Sequence, residues 1–127
     1  MLLIEDDADV RELVRVALES DGYRVATSTN GREALDYLRS TADVCIILLD
    51  LMLPMMDGSR FRSAQLRDRG LAWIPVVVLS GAPDATDQAR VIGARSVVPK
   101  PIDVDVLRLA LRRIGCCRAR PRPLLSL

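Results

Sequence analysis

Residues 44–50 read Val-Cys-Ile-Ile-Leu-Leu-Asp, an apolar run that ends on a carboxylate. The run shows no alternation of polar and apolar side chains, which predicts a strand buried on both faces of a parallel sheet. Residues 74–79 form a second run of this kind, and Ser80 follows it. Ligand sites in open parallel sheets lie outside the carboxyl ends of the strands. The two runs therefore predict an α/β fold and the edge at which its functional residues lie.

Strand-like and helix-like periodicities alternate along the rest of the chain. Apolar residues recur at helical spacing in residues 10–18, and Asn30 with Glu33 resembles a capping box that opens the next helix. The helix predicted at residues 59–68 has a poor apolar stripe. The predicted strands are residues 1–4, 23–27, 44–49, 74–79 and 95–98, and the later helices are residues 59–68, 84–92 and one that ends at Gly115. Five strand–helix units predict a doubly wound parallel sheet with helices on both faces.

The composition is that of one globular domain. Half of the 127 residues are hydrophobic but only 4 are aromatic, so aliphatic side chains must fill the core. A formal net charge of +1 predicts no general affinity for nucleic acid or membrane surfaces. The longest apolar stretch, residues 71–79, is too short to cross a bilayer, and the acidic start has no basic leader. We therefore expect a cytoplasmic protein with no membrane insertion and no direct nucleic-acid contact.

The cysteines and the C-terminal tail are not expected to carry the chemistry. Cys45 lies inside an apolar run and should behave as a small buried hydrophobic side chain. Cys116 and Cys117 are adjacent, and the chain has no histidine to complete a zinc site. Arginines and prolines alternate in residues 116–127, which predicts a mobile tail rather than a continued helix.

Carboxylates follow two of the predicted strands. Asp6 and Asp7 lie where the first strand turns into the first helix, and Asp50 comes directly after the third strand. One of the first two can serve simply as a helix N-cap, and Asp50 can be an ordinary turn residue. Three carboxylates at one sheet edge, however, repel one another unless a cation lies between them, and hard oxygen ligands suit Mg²⁺. The cluster therefore predicts a Mg²⁺ site, in which Mn²⁺ could substitute in vitro. Asp50, set among leucines, is the best candidate for a nucleophile that takes up a phosphoryl group as an acyl phosphate.

A hydroxyl and an ammonium follow the last two strands. Lys100 is the only lysine among 18 basic residues and lies between the fifth predicted strand and Pro101. A flexible ammonium can meet a phosphate oxygen there as a point charge, although a solvated side chain at a strand end is the simpler explanation. Ser80 alone is a common turn residue. At this edge its hydroxyl could donate to a phosphoryl oxygen, and Gly81 would let the backbone come close.

In this order, the residues resemble the receiver domain of two-component response regulators of the single-domain type. Residues 5–7 are similar to the family's acid pair, and residues 50–58 to its phosphoacceptor aspartate with the loop that follows. Residues 80–81 match the hydroxyl position, and Gly93-Ala94 with Lys100-Pro101 is similar to the lysine motif. The resemblance covers residues 1–115 and implies the flavodoxin-like (βα)5 fold with strand order 2-1-3-4-5.

The resemblance also implies the chemistry of the acids. Asp50 would accept a phosphoryl group from the phosphohistidine of a sensor histidine kinase or a histidine phosphotransfer protein. Asp7, Asp50 and the backbone carbonyl of Met52 would bind Mg²⁺ directly, and Asp6 would act largely through water. The protein would be a signalling switch that catalyses only its own phosphorylation and dephosphorylation.

The phosphoryl oxygens would be held by Ser80 and Lys100, with a cis peptide between Lys100 and Pro101. The chain departs from the family at Val97, where an aromatic residue usually forms part of the switch. Met52 and Ala82 occupy two positions that influence hydrolysis of the acyl phosphate in relatives. Neither side chain can orient water, so slow self-dephosphorylation is expected.

Several functions remain open at this point. Residues 116–127 are too few for an output domain, so a switch that binds a downstream protein through its last two helices and the intervening strand is expected. Phosphorylation could also drive a homodimer. The alternative is the N-terminal receiver of a longer regulator. An aspartyl phosphatase of the haloacid dehalogenase type would need a second aspartate where Met52 lies. A docking module that works without phosphorylation is supported only by Val97.

Overall fold

The computed structural model describes residues 1–41, 43–53 and 56–115. Five parallel strands form one sheet in the order β2-β1-β3-β4-β5. The strands are β1 (Leu2–Ile4), β2 (Ala26–Ser28), β3 (Ile47–Asp50), β4 (Val76–Ser80) and β5 (Ser96–Pro99). The helices are α1 (Ala8–Ser20), α2 (Gly31–Ser40), α3 (Gly58–Arg67), α4 (Ala85–Val91) and α5 (Val104–Ile114). The predicted doubly wound, flavodoxin-like fold and its strand order are confirmed.

Alternating residues of the central strands face two separate helical layers. Ile4 and Leu49 pack with the apolar side chains of α2, α3 and α4 on one face of the sheet. Leu3 and Leu48 pack with those of α1 and α5 on the other face. β3 and β4 are buried throughout, as their unbroken apolar sequences predicted. The sheet is therefore covered on both sides, and its carboxyl edge is where the strand–helix loops leave the core.

Side-chain caps fix the starts of four helices beside that edge. Asn30 Oδ1 accepts from the backbone N–H of Glu33 at 2.9 Å, which confirms the predicted cap of α2. The caps of the other three helices are Asp7, Asp57 and Asp103. Each is an aspartate whose carboxylate accepts from backbone N–H groups of the first turn.

The second strand starts at Ala26 rather than at residue 23, because β1 offers only three residues for pairing. Only part of the weak apolar stripe of α3 is buried, since Phe61 lies in the core and Ala64 packs against it. Leu66 is half-exposed, whereas Arg62 and Gln65 are buried. The reason is a set of hydrogen bonds from these two polar side chains to backbone carbonyls.

The prediction that Cys45 is a buried hydrophobic side chain is wrong. Cys45 is half-buried and is disulfide-bonded. It precedes β3, and its neighbours Val44 and Ile46 are buried. The predictions for residues 116–127, including Cys116 and Cys117, lie outside the described residues. Among the described helices, none has the length and apolar character needed to cross a bilayer.

Candidate functional site

The strand order brings four polar residues to neighbouring positions at the carboxyl edge of the sheet. Glu5 directly follows β1, Asp50 and Ser80 are the last residues of β3 and β4, and Lys100 directly follows β5. β3 lies between β1 and β4, so Asp50 is central. The sequence prediction that Asp50, Ser80 and Lys100 share one edge agrees with this placement.

Lys100 connects two of the carboxylates. Its Nζ lies 2.7 Å from Glu5 Oε1 and 3.3 Å from Asp50 Oδ2. Within the described residues Glu5 Oε1 has no well-aligned hydrogen-bond partner, so the shorter contact is an ion pair rather than a directed hydrogen bond. Burial lowers the pKa of the Lys100 ammonium, but the contacts with Glu5 and Asp50 outweigh burial and raise that pKa overall. Lys100 therefore stays a cation.

The carboxylates outnumber this ammonium. Glu5, Asp6 and Asp50 each offer one oxygen, and the three oxygens lie within 4.8 Å of one another. Burial, opposed by Lys100 and reinforced by the nearby Asp50, raises the pKa of Glu5 to about 7. Glu5 and Asp50 are buried, while Asp6 is exposed and opens the cluster to solvent. A set of hard oxygen donors with excess negative charge and a solvent-facing side fits Mg²⁺.

Asp7 lies outside this cluster. Its Oδ1 accepts from the backbone N–H groups of Asp9 at 2.9 Å and Val10 at 3.2 Å, so its carboxylate caps α1. Direct coordination of a metal by Asp7 remains a prediction, and the cap hydrogen bonds do not favour it. Sequence reasoning found the run of three acids but did not identify Glu5 as the one that faces inward. The helix start at Ala8 was the available signal, because it assigns Asp7 to the cap.

Arg11 is a second residue of the site that the sequence prediction missed. Its Nη1 donates to the backbone carbonyls of Glu5 at 2.9 Å and Asp6 at 3.3 Å. These bonds hold the turn between β1 and α1, which carries two of the clustered acids. The position of Arg11 early in α1 gave no distinctive sequence signal, since an arginine there is usually solvated.

The loop after Asp50 is anchored at both ends. The Met52 N–H donates to Asp50 Oδ1 at 3.0 Å, while the Met52 side chain is 76% exposed. At the other end, the Gly58 N–H donates to the Leu51 carbonyl at 3.1 Å. A Cβ at residue 58 would lie 2.8 Å from Leu51 Cα, so the close approach of α3 to this loop requires glycine. The role of the Met52 carbonyl as a metal ligand remains a prediction.

Ser80 is hydrogen-bonded both to the loop that follows β4 and to the residue that follows the neighbouring strand β5. Its Oγ accepts from the Ala82 N–H at 3.1 Å, and its carbonyl accepts from the Lys100 N–H at 2.9 Å. Ser80 is buried, with 2% of its surface exposed. The Lys100–Pro101 peptide is cis, as the resemblance implied. The hydroxyl and the ammonium are therefore held on adjacent strands at the same edge.

Comparisons with known proteins agree on one family. Residues 1–112 match the response regulator receiver domain. The chain is 38% identical over 121 residues to the transcriptional regulatory protein CseB of Streptomyces coelicolor, which covers 91% of this chain and 50% of that protein. It is 36% identical over 134 residues to the KDP operon transcriptional regulatory protein KdpE of Escherichia coli, which covers 99% of this chain and 56% of that protein.

A solved structure gives the same result. The chemotaxis response regulator CheY4 of Vibrio cholerae matches with a TM-score of 0.81 and 27% identity, over 89% of this chain and 95% of that one. The chain belongs to the response regulator receiver family. It spans about half the length of the curated relatives it matches. The family assignment agrees with the sequence resemblance and not with the haloacid dehalogenase alternative.

Proposed function

We propose that the chain is a phosphoacceptor switch, in which Asp50 takes a phosphoryl group from the phosphohistidine of a sensor histidine kinase or a histidine phosphotransfer protein. The observation that supports this most strongly is the Lys100 ammonium between Glu5 and Asp50, in a cluster of three carboxylates. The excess of negative charge in this cluster favours the binding of a divalent cation. It also places the nucleophilic carboxylate beside a cation that can bind a phosphoryl oxygen.

The proposed transfer is a single displacement at phosphorus. A carboxylate oxygen of Asp50 forms a bond to phosphorus as the bond to the donor imidazole nitrogen breaks, and the electron pair of that bond stays on the imidazole. The Lys100 ammonium sits where it can offset charge on the phosphoryl oxygens. When bound, Mg²⁺ would supply the remaining charge neutralisation. The reaction modifies the protein itself, which fits a switch.

The carboxylates of Asp6 and Asp50 are the proposed direct ligands of Mg²⁺, with Glu5 beneath them. This differs from the assignment by resemblance, in which Asp7 bound directly and Asp6 acted through water. The support is geometric, because Asp6 belongs to the cluster and Asp7 is engaged as a cap. Exposure of Asp6 to solvent also leaves room for the waters that Mg²⁺ retains.

Phosphorylation would add about −1.5 to −2 charges at Asp50, if the acyl phosphate resembles other phosphorylated side chains. Lys100 would then exchange carboxylate contacts for phosphoryl oxygens. The Ser80 hydroxyl, which now accepts from the Ala82 N–H, would rotate to donate to the phosphoryl group. Val97 has no ring to rotate. We therefore propose that the conformational change passes from the site to the loop between β4 and α4.

Output is proposed to come from binding a downstream protein. The single-domain switch, with a homodimer that forms on phosphorylation as one of its states, is one proposal. The coverage of about half of CseB and KdpE supports the alternative that the chain is the receiver of a longer regulator. Genomic sequence downstream of residue 127 separates the two. A cytoplasmic location is proposed in either case.

The proposed function is tested by mass spectrometry after incubation with a small phosphodonor and Mg²⁺. We expect a mass gain of one phosphoryl group in the wild type, none after chelation of the metal, and none in Asp50→Asn. A gain that persists in Asp50→Asn would contradict the proposal. The decay of the phosphorylated form tests the slow self-dephosphorylation predicted from Met52 and Ala82, which loss of the phosphoryl group within seconds would contradict.

A further inference from the structure

The two ends of α4 are held very differently. At the N-terminal end, the Asp84 side chain makes no capping hydrogen bond and instead accepts from Gln88 Nε2 at 3.1 Å. The loop before α4 is mostly exposed, and Ala82 in this loop donates its N–H to Ser80 Oγ. This end of the helix is therefore weakly held and is linked directly to the hydroxyl of the site.

The C-terminal end of α4 is firmly closed. Gly93 adopts a left-handed conformation with φ of 70°, and the Ala94 N–H donates back to the Ala89 carbonyl at 2.9 Å. Arg62 of α3 then binds the carbonyls beyond the helix. Its Nε donates to the Ile92 carbonyl at 2.9 Å, and its Nη2 donates to the Gly93 carbonyl at 3.2 Å.

Arg62 is a buried cation with neutral partners. It is 8% exposed, and its third hydrogen bond goes to Gln65 Oε1 at 2.8 Å. Gln65 in turn donates to the carbonyls of Leu71 and Ile74. Within the described residues no carboxylate pairs with Arg62. If α4 pulled away at this end, the guanidinium would lose the carbonyls of Ile92 and Gly93 and keep only Gln65 as an acceptor, which is unfavourable for a buried cation.

The helix that carries Arg62 is itself fixed near the phosphoacceptor. Gly58, the first residue of α3, contacts Leu51 and donates to its carbonyl. Arg62 lies one turn further along α3. The C-terminal end of α4 is therefore tied through α3 to the residue after Asp50, while the N-terminal end is tied to Ser80.

We propose that Arg62 is a positioning residue that clamps the C-terminal end of α4 and the turn that follows it. Rotation of the Ser80 hydroxyl on phosphorylation then releases the Ala82 N–H and moves the loop and the N-terminal half of α4, and the helix turns about its fixed C-terminal end. This inference rests on the proposed function, because it needs a phosphoryl group at Asp50. It provides this chain with a route for the signal that does not need an aromatic ring at position 97.

The experiment is site-resolved amide hydrogen exchange by NMR on the full chain, with and without beryllofluoride and Mg²⁺. Formation of the adduct is followed independently by fluorine NMR. In the wild type we expect adduct-dependent changes of roughly threefold or more in residues 82–88 and none in residues 92–96. In Arg62→Met we expect the adduct-dependent change to extend into residues 92–96. The matched control is Arg60→Met, an exposed arginine of the same helix, which should keep the wild-type pattern.

The outcomes separate the clamp from a purely structural role. Faster exchange in residues 92–96 of Arg62→Met that is equal with and without the adduct means that Arg62 only stabilises the fold, and it overturns the inference. The inference is also overturned if the adduct-dependent exchange changes in Arg62→Met stay within residues 82–88. If that variant does not fold, Arg62→Lys decides, since an ammonium lacks the fork of three nitrogens that reaches Gln65 and both carbonyls and should give partial spreading. An adduct that forms with a wrong exchange pattern refutes the inference alone, whereas failure of the wild type to form the adduct refutes the proposed function with it.

Discussion

Two regions of the molecule bury charge in opposite ways. At the carboxyl edge of the sheet, Glu5, Asp6 and Asp50 form a cluster in which the Lys100 ammonium contacts only Glu5 and Asp50, so negative charge is in excess. On the side of α3, Arg62 is buried with Gln65, and each of its described hydrogen bonds goes to a neutral acceptor in good geometry. The carboxylate cluster therefore has unneutralised negative charge, whereas the hydrogen bonds of Arg62 are satisfied.

This difference distinguishes a site from a structural link. Repulsion among clustered carboxylates costs stability that a bound cation can recover, so the arrangement is useful only if a cation binds there. A buried guanidinium with satisfied hydrogen bonds instead resists any motion that would remove its acceptors. The carboxylate cluster is therefore suited to binding a ligand at the reaction centre, whereas Arg62 is suited to holding the C-terminal end of α4 in place.

The largest expected effect on stability comes from removing the buried hydrogen bonds of Arg62. Arg62→Met removes three buried donors, so the free energy of unfolding should fall by about 3 kcal/mol. The exposed Arg60→Met should change it by less than about 0.5 kcal/mol. Urea unfolding followed by circular dichroism measures both. Equal stabilities for the two variants would mean that the buried network contributes nothing to the fold.

Removing a negative charge from the carboxylate cluster should instead raise the free energy of unfolding. The pKa of Glu5 is raised from 4.5 to about 7 in the folded protein, so ionised Glu5 opposes folding and stability falls as the pH rises from 4.5 to about 7. Glu5→Gln cannot ionise. With a chelator present it should match the wild type near pH 4.5 and exceed its free energy of unfolding by about 2 kcal/mol at pH 8. A stability difference that does not vary with pH would refute this origin.

The smallest of the three effects separates the two exposed aspartates of the acid run. Asp6→Asn should raise the dissociation constant for Mg²⁺ at least about tenfold, because it removes a proposed ligand. Asp7→Asn should leave it within about twofold, because asparagine also caps a helix. Isothermal titration calorimetry gives both constants. The reverse result, with only Asp7→Asn impaired, would restore the assignment made by resemblance.

The sequence was sufficient for the fold and for three of the site residues, for identifiable reasons. Runs such as residues 44–49 have one stable placement, inside a covered parallel sheet, and the polar residues after them must then lie at its edge. Asp50, Ser80 and Lys100 could be predicted on that basis. Glu5 was missed, because the start of α1 decides which of three consecutive acids faces inward.

The polar part of the buried face of α3 could not be predicted for a different reason. Leu66 looks like a core residue and Arg62 like a solvated one, since arginine is seldom buried unless its donors are satisfied. The acceptors that satisfy Arg62 belong to Ile92 and Gly93, thirty residues and more away in the chain. Only the assembled fold brings them together.

The most direct test of the account is fluorine NMR of the protein with beryllofluoride. We predict bound fluoride resonances that require both Mg²⁺ and Asp50, persist in Asp7→Asn, and weaken in Asp6→Asn. Bound resonances that survive in Asp50→Asn, or that form without a divalent cation, would contradict the claim that these side chains form one metal-dependent phosphoryl site.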